Sequence, residues 1–256
     1  MTGKKINGLV RIKEKQAAYK NLADWFEYLN DDCGYENWSQ YLILQLKAFP
    51  LARGLDIGCG SGRFTRDFQK ARYSMTGLDV SVEMLARAKA LSDREGLRIP
   101  YLLGDITRFK SFEKFDFATA VNDCVNYIPK KKLLSAFKNV YAALNKNGIF
   151  LFDISSERKF REKIANTVSA DDREEITYLS FNAVEDDVVT MDVTLFIRRE
   201  DGAFERCDER HTQYIYTEEE IVSALRASGF EVLKIEGHLG EEKSVSDRVC
   251  FLAKKP

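Results

Sequence analysis

One nine-residue stretch constrains this chain more than any other. Leu55-Asp56-Ile57-Gly58-Cys59-Gly60-Ser61-Gly62-Arg63 passes from an apolar segment through alternate glycines into a helical pattern. Glycines at a strand-to-helix turn let a ligand approach the backbone closely. The helix behind them offers unpaired N–H groups and a partial positive charge. A Gly-x-Gly pair by itself is equally compatible with a plain glycine-rich turn. The neighbours narrow the choice of ligand. A dinucleotide fingerprint needs a third glycine where Arg63 stands. Asp56 would repel a pyrophosphate and attract an amine. The loop therefore suits a ligand that carries both a cationic amine and a nucleoside.

The surrounding pattern alternates strands and helices. Residues 16–49 read as helical, with Tyr41, Leu42, Leu44, Leu46 and Phe49 at helical spacing up to Pro50. Strands are expected at 54–57, 74–80, 101–103, 115–121 and 149–154, and helices at 64–70, 81–94 and 131–144. Ser81 is a candidate N-cap. Continuous apolar runs such as 149–154 suit strands buried on both faces of a parallel sheet. From about 173 to 216 the period becomes two, with Met191, Val193, Leu195 and Ile197 on one side and turn signals at Glu185-Asp186-Asp187 and Asp201-Gly202. Three antiparallel strands are expected there. Thr217-Glu218-Glu219-Glu220 then forms a capping-box pattern, Gly229 is a C-cap candidate, and strands at 230–235 and 249–253 close the chain.

The expected fold is α/β: a doubly wound, Rossmann-like seven-stranded sheet, mostly parallel with the last strand antiparallel. Residues 1–50 form a helical lid, 51–155 and 216–256 the ligand-binding domain, and 156–215 an antiparallel β insert capping the acceptor side.

Composition excludes several classes. Hydrophobic residues make up 45% of the 256, enough for a full core. Lys plus Arg number 39 against 40 for Asp plus Glu, a net charge of -1. That balance argues against nucleic acid; Lys130-Lys131-Lys132 reads as the solvated start of a helix. Five scattered cysteines without a CxxC pair, with two histidines, supply no zinc site. They fit a reducing compartment. No apolar h-region follows Lys4 and Lys5, and no run approaches about 18 apolar residues. A cytoplasmic protein without metal or membrane partner is expected, as monomer or homodimer.

The glycine segment resembles motif I of class I S-adenosylmethionine-dependent methyltransferases. Gly77-Leu78-Asp79-Val80-Ser81 resembles motif II, Gly104-Asp105-Ile106 the adenine motif, and 115–122 motif IV. Residues 144–150 resemble the L-x-x-G-G segment, with Asn147 in the first glycine's place. The chain from about residue 13 is similar to a bacterial group of small methyltransferases with an antiparallel insert before the last helix. That group's N-terminal Tyr, Tyr-Asp and Tyr-x-x-Trp correspond to Tyr19, Phe26-Glu27 and Tyr35-x-x-Trp38. Phe26 lacks the hydroxyl.

The resemblance implies S-adenosylmethionine as cofactor, methyl transfer to an N or O atom of a small molecule, and a set of site residues. On the cofactor side these are Tyr19, Asp56, Gly58, Cys59, Gly60, Asp79, Val80, Met84, Asp105, Ile106 and Asn122. Asp79 would take the ribose hydroxyls and Asp105 the adenine amino group. On the acceptor side they are Tyr35, Trp38, Tyr127, His211 and Tyr216. His211 and Asp123 are the candidate bases. His211 has two readings, a group overhanging the pocket or a solvated strand histidine. The charged stretch Glu205, Arg206, Asp208, Glu209, Arg210 either binds a polar substrate or serves solubility. The segment after the fourth strand, Asn122 to Tyr127, lacks both the N/D-P-P-Y/F/W pattern and the Pro-Cys nucleophile. A non-catalytic S-adenosylmethionine-binding module and a nicotinamide-dependent oxidoreductase are the alternatives.

Overall fold

The computed structural model describes residues 18–111 and 113–256. Lys4, Lys5 and the first residues of the expected lid lie outside them. The N-terminal region is not one helix. A 3-10 turn at Leu22–Asp24 is followed by α1 (Phe26–Leu29) and then α2 (Tyr35–Leu46). The interruption has a local cause. Asn30-Asp31-Asp32 are poor helix formers, and Gly34 takes a left-handed φ of 64° that ends any continuous helix.

The α/β pattern then runs β1 (Arg53–Ile57), α3 (Arg63–Lys70), β2 (Ser74–Asp79), α4 (Val82–Arg94), β3 (Tyr101–Leu103), β4 (Phe115–Ala120), α5 (Leu133–Ala143) and β5 (Leu144–Ser155). Ser81 caps α4 through its Oγ, which accepts the Met84 N–H at 3.1 Å. Between β4 and β5 the register shifts after Phe115. Asn147 there holds φ 63°, a left-handed conformation that asparagine tolerates better than most residues.

A π-helical turn at Lys159–Ile164 leads to β6 (Val168–Asp172), β7 (Ile176–Glu185), β8 (Val188–Arg198) and β9 (Phe204–Tyr214). The inserted sheet thus has four strands, not three. β6 escapes the period-two pattern because Val168-Ser169-Ala170-Asp171-Asp172 is an edge strand with little burial, so nothing forces alternation on it. α6 (Glu218–Ala227) opens on the complete Thr217/Glu220 capping box, and β10 (Glu231–Gly237) and β11 (Arg248–Lys254) end the chain.

The larger sheet has the order β10-β11-β5-β4-β1-β2-β3. β11 is antiparallel to both neighbours, β5 and β10, while β1 to β5 pair in parallel. One face is covered by α5 and α6, where Phe137 packs on Phe150 and Phe152 at centroid distances of 5.6 and 5.4 Å. The other is covered by α2 and α3 through Trp38, Leu42, Leu46, Phe64 and Phe68. Each such buried side chain contributes roughly 1.5–3 kcal/mol of apolar transfer. Strand order reverses direction between β1 and β4, and in open α/β sheets ligands bind at the carboxyl ends beside that reversal.

Candidate active site

A cleft of about 480 Å³ opens at that point. Its floor is the glycine loop. Gly58 needs its left-handed φ of 65° and has no room for a side chain, since a Cβ would stand 2.3 Å from Cys124 Sγ. The Gly58 and Cys59 N–H groups donate to the Leu78 carbonyl at 2.7 and 3.1 Å, tying the loop to β2.

Asp79 ends β2 and knits two loops together. Its Oδ2 accepts the Gly60 N–H at 2.8 Å and its Oδ1 accepts the Ser81 N–H at 2.9 Å. Burial pushes its carboxyl above the usual range, and these backbone donors oppose that. Asp105 Oδ1 accepts the Thr107 N–H at 2.8 Å. Asp56 is 1% exposed, with Thr65 donating to Oδ2 at 2.5 Å and Thr119 to Oδ1 at 2.8 Å. Burial lifts its carboxyl to about 6 against the pull of those hydroxyls.

All the cofactor-side candidates line this one cleft: Tyr19, Asp56, Gly58, Cys59, Gly60, Asp79, Val80, Met84, Asp105, Ile106 and Asn122. Tyr35 and Tyr127 line it too. Trp38 does not. It is buried between Phe64 and Arg248, whose guanidinium lies 4.5 Å from its ring. Tyr216 does not either, because its ring is in the core and its hydroxyl donates to the Ile128 carbonyl at 2.5 Å.

Asp123, the other candidate base, stands outside the cleft lining, accepts Ser155 Oγ at 2.9 Å and is ion-paired with Arg248. Burial would raise its pKa, but Arg248, Lys159 and Ser155 outweigh that and hold it below the usual carboxylate range. Arg248 also bridges to Asp153. Asp153 in turn accepts the N–H groups of Asn122 and Asp123 at 2.7 and 3.2 Å. The cluster therefore fixes the loop after β4, where both residues hold left-handed φ.

His211 follows neither expectation. It is 3% exposed, so it is not a solvated strand residue, and it does not itself line the cleft. Residues two apart on a strand share a face. Glu209, His211 and Gln213 all point inward, while Arg206 and Arg210 pair with Asp208 and Asp192 on the other face. His211 Nδ1 meets the Tyr127 hydroxyl at 3.2 Å, and that hydroxyl meets the Tyr19 hydroxyl at 2.7 Å. Its Nε2 meets Glu209 Oε2 at 3.3 Å.

Two anchors of the N-terminal segment were not found in the sequence. Arg66 is 2% exposed; it donates to the Ser61 carbonyl at 2.7 Å and to both Glu27 oxygens at 2.9 and 3.0 Å. Ser61 Oγ also donates to Glu27 at 2.6 Å. No periodicity flags this set, because a single arginine within an amphipathic helix reads as surface. Thr107 was missed for a similar reason, as an ordinary residue after Asp105.

Residues 55–148 match the family model described as methyltransferase domain. A protein of Geobacillus sp. (strain WCH70), provisionally named a methyltransferase, is 30% identical over 93% of this chain and 99% of its own. The chain belongs to the class I S-adenosylmethionine-dependent methyltransferases. A second relative of this methyltransferase is YqeM of Bacillus subtilis (strain 168), also provisionally named, 29% identical over 93% of this chain and 97% of its own. The crystal structure of an S-adenosylmethionine-dependent methyltransferase from Clostridium acetobutylicum ATCC 824 superposes with a TM-score of 0.82. It is 29% identical and covers 90% of this chain and 96% of that one.

The methyltransferase uses S-adenosylmethionine, and two features of the cleft fit that cofactor. Thr107 lines the cleft beside Asp105, and its buried Oγ1 has no hydrogen-bond partner among the described residues, which leaves it available to a polar ligand edge. A Cβ on Gly60 would touch only Met84 Sδ among the described residues, at 4.0 Å, which leaves room for a ligand against bare backbone.

Proposed function

We propose that this methyltransferase moves the methyl group of S-adenosylmethionine to an N or O atom of a small molecule, and that the acceptor's proton leaves through Tyr127 to His211. The observation that carries this reading is the contact between the Tyr127 hydroxyl, which lines the cleft, and the buried His211 Nδ1. Asp79 would hold the cofactor's ribose, Asp105 and Thr107 its adenine, and Asp56 would attract its amine. Tyr19 and Tyr35 wall the acceptor end.

The sulfonium is already an electrophile, so the protein's work is alignment. Holding the reactants in line and dry is worth on the order of 7–11 kcal/mol when geometry is tight. A base is needed only where the acceptor arrives protonated. In that case the acceptor's proton passes to the Tyr127 oxygen as the hydroxyl's own proton passes to Nδ1. The resulting imidazolium faces the Glu209 carboxylate. Balanced charge, 39 basic against 40 acidic residues, favours a small acceptor over nucleic acid.

The test is release of S-adenosylhomocysteine from the full chain with panels of small amines and hydroxyl compounds, and with total RNA and duplex DNA in parallel. Turnover with a small molecule that falls in His211→Asn supports the reading. Turnover with RNA or DNA alone overturns it, and cofactor binding without turnover on any panel favours a non-catalytic binding module.

A further inference from the structure

Glu209, on β9, is 1% exposed and fully used. Oε2 accepts the Tyr19 N–H at 2.9 Å and faces His211 Nε2 at 3.3 Å, while Oε1 accepts the Leu22 N–H at 3.0 Å and the Asn21 N–H. A carboxylate has about four acceptor positions, and this set saturates it. Burial would raise its pKa, but hydrogen bonds from His211 and from the Asn21 and Leu22 N–H groups outweigh that and hold it below the usual range.

Those backbone donors belong to the segment that closes one side of the cleft, where Ala18, Tyr19 and Phe26 are part of the lining. The N–H of Leu22 opens the 3-10 turn, where a helix-like start leaves donors unpaired. Tyr19 holds a left-handed φ of 66°, a conformation unfavourable for a residue with a bulky side chain that persists only when its surroundings impose it.

The same carboxylate sets the chemistry of the ring. An ionised carboxylate only accepts, so the ring proton is assigned to Nε2 and Nδ1 is the bare nitrogen that meets Tyr127. We propose that Glu209 is a latch, a positioning residue that couples closure of the N-terminal segment over the cofactor to the proton-accepting tautomer of His211. Closure places three backbone donors and the ring on one carboxylate, and it also brings the Tyr19 hydroxyl onto Tyr127. Methyl transfer therefore waits for the segment to close. This inference rests on the reading that His211 takes a proton.

The experiment reads both halves of the latch without needing an acceptor. The chain has two histidines, so ring-nitrogen NMR of the full chain with S-adenosylhomocysteine resolves His211 once His238→Gln assigns the other. Amide hydrogen exchange at Tyr19, Asn21 and Leu22 reports the segment. Glu209→Gln removes the carboxylate, and Asn21→Pro removes one segment donor while leaving β9 unchanged, a milder variant should the first fail to fold. In a folded variant, exchange at the remaining segment amides rises about tenfold or more. S-adenosylhomocysteine affinity falls roughly tenfold, and the His211 signals move from the Nε2–H form toward a tautomer mixture. Faster exchange with an unmoved ring signal overturns the coupling, as does no change in either. Full turnover by His211→Asn would instead sink the proton-transfer reading, and wild-type failure to bind S-adenosylhomocysteine would sink the cofactor site.

Discussion

The Tyr127 hydroxyl lies 3.2 Å from Nδ1 of His211, linking a cleft-lining turn after β4 to the inner face of β9 in the inserted sheet. Under the proposed proton path the inserted sheet takes part in the chemistry, and the proton's destination is separate from the proposed cofactor-binding groups, so the two can be tested apart.

His211→Asn and Tyr127→Phe each lower kcat with a protonated acceptor by about 10²-fold or more, the range of general acid–base catalysis. In His211→Asn, S-adenosylhomocysteine affinity stays within about twofold, because His211 does not line the cleft. The double variant loses no more than the worse single one, since both act through one proton path. Steady-state kinetics and calorimetry together check this.

Asp79→Ala weakens S-adenosylmethionine binding by roughly 10- to 100-fold, the worth of one or two charge-assisted hydrogen bonds. Part of the loss comes from the protein itself, because Gly60 N–H and Ser81 N–H lose their acceptor. Calorimetric titration at constant ionic strength measures it.

Asp56 gives the cofactor-free protein a defined pH dependence. Its folded pKa, about 6, lies above its ordinary value of 3.8. Between those values the native state holds a proton that the unfolded state has released. Stability therefore falls as pH rises through this window, by up to about 3 kcal/mol at about 1.4 kcal/mol per unit. Asp56→Asn removes this fall, so the variant gains on the wild type in denaturant titrations as pH goes from acid to neutral. The same variant binds S-adenosylmethionine more weakly, because a neutral amide no longer attracts the amine.

Arg66→Leu destabilises the fold by about 2–3 kcal/mol. Arg66 pairs with Glu27 and, through Nε at 2.9 Å, with Glu95; breaking a fully buried ion pair costs about 3–5 kcal/mol, and the figure here is reduced because Glu27 and Glu95 keep 23% and 31% side-chain exposure. Thermal unfolding should drop by roughly 2–4 °C per kcal/mol for a domain of this size. Amide exchange in α1 should rise more than in β4, because Glu27 is what Arg66 holds.

The cofactor half of this enzyme is written locally. Gly58, Asp79 and Asp105 each lie at the end of a strand, and the apolar runs before them announce those strands. Once the parallel sheet forms, its short strands and tight links leave these positions little freedom but to meet at the carboxyl edge. Order along the chain becomes order around one cleft, so residues and motif could be read together. Ser81 and the Thr217 capping box were legible for the same reason, since each acts within four residues of itself.

The acceptor half depends on contacts between distant segments. Nothing near Glu209 in sequence says that it faces inward, because Glu205 to Arg210 carry charge on both sides of the strand. The face was decided by pairing: opposite β8, Glu209 and His211 fall beside Val193 and Met191, the inner set. Trp38 and Tyr216 carry polar handles yet went to the packing between helix and sheet, where burying large rings outweighs any gain from exposure. Local hydrophobic period and turn chemistry settled the elements of the larger sheet and the edge at which the cleft lies. Register and packing alone decided that a glutamate 190 residues from Tyr19 accepts its backbone N–H and meets the His211 ring, because a carboxylate can be buried only where the fold brings donors to it.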